Sequence, residues 1–189
     1  MDPVKSYGEI EFELLQLLSK AVRIGTFELS SGSTSNVLID CSQVLRTYDG
    51  QVLLGDCLNR RWGQLGFDAV GGPLVGSDPI SAAVLSNRTA TRWFGVRKQG
   101  DIKRRGLDVG HLTGSLEPED TVLLVDDVFT TGGNLRWAAS VVEARGGKLQ
   151  EIFVVVDRGA PGELVEFGRR HGVRASSLVI LHELLEVEK

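Results

Sequence analysis

Cysteine is scarce: Cys41 and Cys57 are the only two in 189 residues, and they stand apart from each other and from the three histidines. That spacing argues against a disulfide framework and against a zinc knuckle, leaving ordinary reduced thiols. Long apolar runs are absent too, since nowhere do about 18 apolar residues follow one another. The stretch Met1 to Tyr7 has no basic segment leading into an apolar one, so neither a membrane span nor a targeting leader is predicted, and a cytoplasmic protein is expected. Blocks of like charge are missing: the net charge is -4 and acidic and basic residues alternate along the chain. This disfavours bulk nucleic-acid binding and membrane attachment. Neither G-x-x-x-x-G-K-[ST] nor G-x-G-x-x-G occurs, which removes the two common nucleotide loops. No repeat, low-complexity tract or linker interrupts the chain, so residues 1–189 are expected to form one domain.

What is present is apolar content of 42% against 24% charged residues, enough to bury a core, and 23 glycines, above the usual ~7%. The glycines fall mostly between apolar runs, where backbone turns tightly or approaches a ligand. Ile10, Leu14, Leu17, Leu18 and Ala21 recur at helical spacing and predict a helix over Glu9–Arg23, with Gly25 as its stop. Phe27–Asp40, centred on Ser-Ser-Gly-Ser-Thr-Ser, suits a hairpin or a polar loop between strands. Tyr48–Leu65 reads as a second helix ending at Gly66.

From Ala69 onward the chain alternates. Strands are expected at Ala69–Gly72, Arg92–Val96, Thr121–Asp126, Glu151–Asp157 and Leu178–Leu181, and helices at Pro79–Ser86, Gly133–Arg145 and Gly162–His171. Continuous Val/Leu/Ile runs mark strands covered on both faces, so the fold class is α/β: an open, mainly parallel sheet with helices on both faces. The loops after Gly72, Val96, Asp126 and Asp157 should then face one site beyond the strands' carboxyl ends. Lys98–Thr113 is long and polar, which in a compact domain suggests a working lid.

Val122–Asn134 carries the chemistry. An apolar strand runs into Asp126-Asp127, followed by Val-Phe-Thr-Thr-Gly-Gly-Asn and a helix. Adjacent carboxylates accept hydrogen bonds from vicinal hydroxyls such as a ribose offers. The Thr130, Thr131, Gly132, Gly133 and Asn134 turn sets backbone amides at a helix N-terminus, where the dipole favours a phosphate.

This string resembles the motif by which type I phosphoribosyltransferases bind 5-phosphoribosyl-1-pyrophosphate (PRPP). The resemblance implies that Asp126 and Asp127 hold the ribose hydroxyls and that Thr130 to Asn134 wrap the 5′-phosphate. It also implies a Mg²⁺ ion carried mainly by PRPP oxygens and water rather than by protein ligands. Further stretches, collinear from about Phe27 to Arg158, are similar to orotate phosphoribosyltransferases. Phe27–Ser35 resembles their F-x-L-x-S-G-x-x-S signature, within a small N-terminal hood. Gly71–Pro79, with Gly76 and Ser77, resembles the pyrophosphate loop. Arg97, Lys98, Lys103, Arg104 and Arg105 resemble the basic catalytic loop that closes over PRPP, and Asp157-Arg158 the pair that meets the orotate base. By that resemblance Arg97, Lys98, Lys103, Arg105 and Asp127 are catalytic, Ser30, Thr130 and Arg158 face the base, and the protein is a homodimer in which one subunit's basic loop serves the other.

The pattern has departures. Ser30 stands where the family has a lysine, Ser33 where a basic residue is common, and Asn36, Val37 and Leu38 where an aromatic residue is usual. Arg105 stands where the catalytic loop has histidine; a guanidinium stabilises charge without exchanging a proton near neutral pH, and His111 is the next histidine along. Transfer to orotate therefore stands beside two other readings, a phosphoribosyltransferase for another nucleobase and a non-catalytic PRPP-binding protein.

Overall fold

A computed structural model of the chain describes residues 6–28, 34–63, 65–86, 88, 90–97 and 111–187. Helix α1 (Tyr7–Ser19) starts with a capping box: the Ser6 hydroxyl accepts from the Glu9 amide at 3.3 Å, and the Glu9 carboxylate accepts from the Ser6 amide at 2.7 Å. Ile10, Leu14 and Leu18 give it a buried stripe. The helix stops earlier than its periodicity suggests. Val22–Glu28 is instead strand β1, antiparallel to β2 (Thr34–Ile39), and Gly25 lies beside a register shift between Ile24 and Phe27 rather than at a helix stop. Val22, Ile24, Thr26 and Phe27 favour the pleated conformation, and pairing with β2 overrides the helical spacing. Of the two readings of Phe27–Asp40, a hairpin or a polar loop between strands, the antiparallel pair β1–β2 matches the hairpin, with its first strand beginning earlier, at Val22; its connection, residues 29–33, lies outside the described residues.

A single turn, α2 (Ser42–Leu45), leads to α3 (Tyr48–Trp62), capped by Thr47, whose hydroxyl accepts from the Gly50 amide at 3.1 Å. The remaining elements are β3 (Ala69–Pro73), α4 (Asp78–Leu85), β4 (Arg92–Val96), β5 (Leu112–Gly114), β6 (Thr121–Phe129), α5 (Gly133–Ala144), β7 (Lys148–Asp157), α6 (Glu163–Arg170), β8 (Arg174–Ile180) and α7 (Leu181–Leu184). The sheet order is β5-β4-β3-β6-β7-β8, parallel throughout except that β5 runs against β4.

Residues alternate between two apolar layers. Leu123, Val125, Phe153 and Val155 pack with Leu14, Leu58, Trp62 and Ile80 from α1, α3 and α4. Val122, Leu124, Ile152 and Val154 pack with Leu135, Ala138, Leu164 and Phe167 from α5 and α6. Each such Val, Leu, Ile or Phe side chain, fully buried, contributes about 1.5–3 kcal/mol. Both faces are thus covered, and the open, mainly parallel α/β sheet read from the unbroken apolar runs is the observed architecture.

The differences lie at edges. β5, α2 and α7 were not expected, being three or four residues long, too short for a periodic signal. β7 and β8 begin earlier than their apolar runs, because ladder pairing recruits polar residues such as Lys148 and Arg174. Of the polar segment from Lys98, residues 98–110 lie outside the described residues and Leu112–Gly114 is an edge strand. Among the described residues no helix is long and apolar enough to cross a membrane.

Candidate functional site

β3 continues through α4 to β4 on one side of the sheet, while β6 continues through α5 to β7 on the other. The neighbours β3 and β6 therefore flank the point where chain direction across the sheet reverses, the place where open α/β sheets form a crevice. Their ladder runs only from Ala69↔Val122 to Gly71↔Leu124, whereas β7 accompanies β6 as far as Phe129↔Asp157. The end of β6 is held from one side only. Asp126 and Asp127 lie inside this overhang rather than at the strand's end, where sequence reasoning puts them.

The opposing wall is the loop after β3. The Ser77 amide and hydroxyl both donate to the Pro73 carbonyl, at 3.1 and 2.9 Å, and the Leu74 amide donates to the Val96 carbonyl at 2.9 Å. These bonds press Gly76 against the carboxylates: a β-carbon there would lie 2.6 Å from Asp127 Oδ1 and 2.7 Å from Asp126 Oδ1. The two acids are also held by their own backbone, with Asp126 Oδ1 accepting from the Asp127 amide at 3.0 Å and Asp127 Oδ1 from the Val128 amide at 2.8 Å. Asp126 is buried, with 6% of its surface exposed, and Asp127 is half-buried on a cleft of about 240 Å³. Asp40, Ser42, Arg46, Val75, Gly76 and Pro79 share that lining. Ser77 does not: its side chain is fully buried and its hydroxyl is turned into the loop.

Asp40, at the end of β2, accepts from the Ser42 hydroxyl at 2.5 Å and from Gln43 Nε2 at 2.9 Å, contacts that hold its carboxyl below the usual range. Behind the cleft, burial pushes the Cys41 thiol up, helped by the charges of Asp127, Asp40 and Asp126, and burial raises Cys57 to about 12. Both cysteines are free and buried.

Beside the carboxylates the chain turns at Thr130–Asn134 into α5. Gly132 is buried with φ +70°, and among the described residues no side chain caps the helix. The first-turn amides therefore lack a side-chain acceptor, while Thr130, Thr131, Gly133 and Asn134 are exposed. The end of β7 closes this side. The Arg158 amide donates to the Phe129 carbonyl at 2.9 Å, and the Arg158 guanidinium donates to Ser35 Oγ on β2, bringing β2 and the ends of β6 and β7 together. Next to it Asp157 accepts from the Gly159 amide at 2.9 Å, yet burial still holds its carboxyl above the usual range.

Arg97 is half-buried; its amide donates to the His111 carbonyl at 2.7 Å, and its own carbonyl accepts from Trp137 Nε1 on α5 at 2.9 Å. The His111 ring stands edge-on to Trp137, with 4.6 Å between centroids. Ser30, Lys98, Lys103 and Arg105, with Arg104, lie outside the described residues. Sequence reasoning missed Ser42 and Arg46, which belong to a turn without periodic or motif signal, and noticed Asp40 only as a strand end. Among the described residues no three His, Cys, Asp or Glu side chains converge as a metal cage. A cleft with carboxylates on its walls fits a cation held chiefly by substrate oxygens and water.

No family model matches the chain. Among curated proteins it is 34% identical over 181 residues to an orotate phosphoribosyltransferase of Pyrococcus abyssi, covering 92% of this chain and 94% of the relative. It is 38% identical over 157 residues to one of Thermococcus gammatolerans, covering 80% of each. Among solved structures, the Mycobacterium tuberculosis H37Rv orotate phosphoribosyltransferase in complex with PRPP superposes with a TM-score of 0.74 at 26% identity, over 93% of this chain and 98% of the other.

Proposed function

This chain belongs to the orotate phosphoribosyltransferase family, and from that premise we propose that it transfers phosphoribose from PRPP to orotate, yielding orotidine 5′-monophosphate and pyrophosphate in pyrimidine nucleotide biosynthesis. One observation carries the reading: the Gly76 loop abuts the Asp126 and Asp127 carboxylates at the sheet's switch point, next to the uncapped start of α5. That juxtaposition supports a ligand with two hydroxyls, a phosphate at one end and a diphosphate at the other.

In this reading Asp126 and Asp127 accept from the ribose hydroxyls, and Thr130, Thr131, Gly132, Gly133 and Asn134 surround the 5′-phosphate. Of the Gly76 and Ser77 pair, Gly76 offers backbone to the diphosphate, while Ser77, whose amide and hydroxyl both donate to the Pro73 carbonyl, holds the loop in shape. As the bond from C1′ to the diphosphate oxygen breaks, positive charge grows on the ribose and negative charge on the leaving group. Asp127 faces the first. Arg97, Lys98, Lys103 and Arg105 answer the second, and enclosure excludes the water that would otherwise hydrolyse PRPP. A Mg²⁺ ion carried by PRPP oxygens, rather than by protein ligands, would neutralise part of the diphosphate charge. Ser30, Thr130 and Arg158 face the base; the Arg158 fork suits a carboxylate and a carbonyl. The protein works as a cytoplasmic homodimer.

Pyrophosphate release from PRPP and Mg²⁺ with orotate, uracil, hypoxanthine and guanine in turn tests this. Orotate should support turnover well above the others. Release with a different base alone would replace the acceptor, and release with none despite PRPP binding would leave only a binding protein.

A further inference from the structure

The pyrophosphate-side loop, Pro73-Leu74-Val75-Gly76-Ser77-Asp78, contains no basic residue, and the cleft it borders is lined by the carboxylates of Asp40 and Asp127. A diphosphate entering there meets negative charge on both sides. Among the described residues lining the cleft, Arg46 is the sole cation. It stands just after α2, and one guanidinium nitrogen reaches across 29 residues of sequence to the Val75 carbonyl at 3.3 Å. That long contact occupies one of five donors. No carboxylate among the described residues forms an ion pair with it. Asp78 is the nearby acid whose titration feels it: burial pushes that carboxyl up, the Arg46 charge pulls it down, and Asp78 Oδ1 is buried without a hydrogen-bond partner among the described residues. Arg46 is thus exposed toward solvent, fixed against the loop, and without an ion-paired counter-charge among the described residues.

We propose that Arg46 is a diphosphate-binding residue, supplying from the α2 turn the positive charge that the loop itself lacks. Its planar fork matches two oxygens of a diphosphate, and its contact with Val75 sets it beside Gly76, whose amide meets the same group. The inference rests on the phosphoribosyltransferase reading and deepens it. A charge at this place acts on the diphosphate end of PRPP and leaves the 5′-phosphate end, at the start of α5, untouched.

The test compares the unaltered protein with Arg46→Gln, which keeps an N–H donor for Val75 but no charge, and Arg46→Lys, which keeps charge but no fork. Affinities for Mg²⁺-PRPP, Mg²⁺-pyrophosphate and ribose 5-phosphate are measured by calorimetry, with pyrophosphate also followed as a function of salt. Arg46→Gln should weaken PRPP and pyrophosphate at least tenfold and flatten the salt dependence, with ribose 5-phosphate within twofold, while Arg46→Lys recovers part of the loss. The proposal fails if Arg46→Gln leaves pyrophosphate within twofold, or if all three ligands weaken together, as a displaced loop would cause. Absence of PRPP binding by the unaltered protein would instead overturn the phosphoribosyltransferase reading, and this inference with it.

Discussion

At position 76 an added β-carbon would stand 2.6 and 2.7 Å from two carboxylate oxygens, distances that real side chains do not tolerate, so either the loop or the acids must move. Gly76→Ala should therefore raise the KM for PRPP at least tenfold with little change in melting temperature, because the displaced groups border a cleft rather than the core. Steady-state kinetics and a thermal melt together check this. Asp126→Asn and Asp127→Asn preserve shape while removing charge. Hydrogen bonds to charged groups are worth about 1.5–3 kcal/mol, so each change should weaken PRPP by roughly one to two orders of magnitude with an unaltered circular dichroism spectrum. Unchanged affinity in both variants would remove the carboxylates from the site. At this scale legibility is uneven. The acids and the Thr-Thr-Gly-Gly turn are contiguous in sequence, so a local string reveals them, whereas Arg46 and Asp40 become neighbours of Asp127 only through folding.

The start of α5 depends on one backbone conformation. Gly132 has φ +70°, and a β-carbon there would meet the Phe129 ring at 2.8 Å and the Phe167 ring at 3.0 Å. A left-handed alanine costs about 1–2 kcal/mol before any clash. Gly132→Ala should lower the melting temperature by roughly 2–8 °C for a chain of this size and weaken ribose 5-phosphate binding, since the same turn presents the amides. A calorimetric melt alongside a ribose 5-phosphate titration would show whether the two losses travel together. Elements with long apolar runs or clear periodicity, such as α3, β6 and α5, could be read from composition and spacing. The boundary between α1 and β1 could not, because Ala21 continues a helical pattern while β2, twelve or more residues away, captures Val22 through Ile39.

For the whole molecule, the proposed homodimer with shared sites makes a direct prediction. Lys103→Ala and Asp127→Asn proteins, each strongly impaired alone, should regain orotate-dependent pyrophosphate release when mixed and allowed to exchange subunits; no recovery would confine each site to one chain. The unbroken apolar runs between glycine-rich turns identify an α/β sheet covered on both faces, and the Asp126–Asn134 string marks its proposed ligand-binding edge, because burial pattern and turn chemistry are written residue by residue. Strand order is not written there. That β6 settles beside β3, outlasts it, and so brings Gly76, Arg46 and Asp40 around Asp127 follows from long-range pairing and from which helices cover which face. Such contacts join residues some 50 to 90 positions apart and exist only once the sheet has assembled.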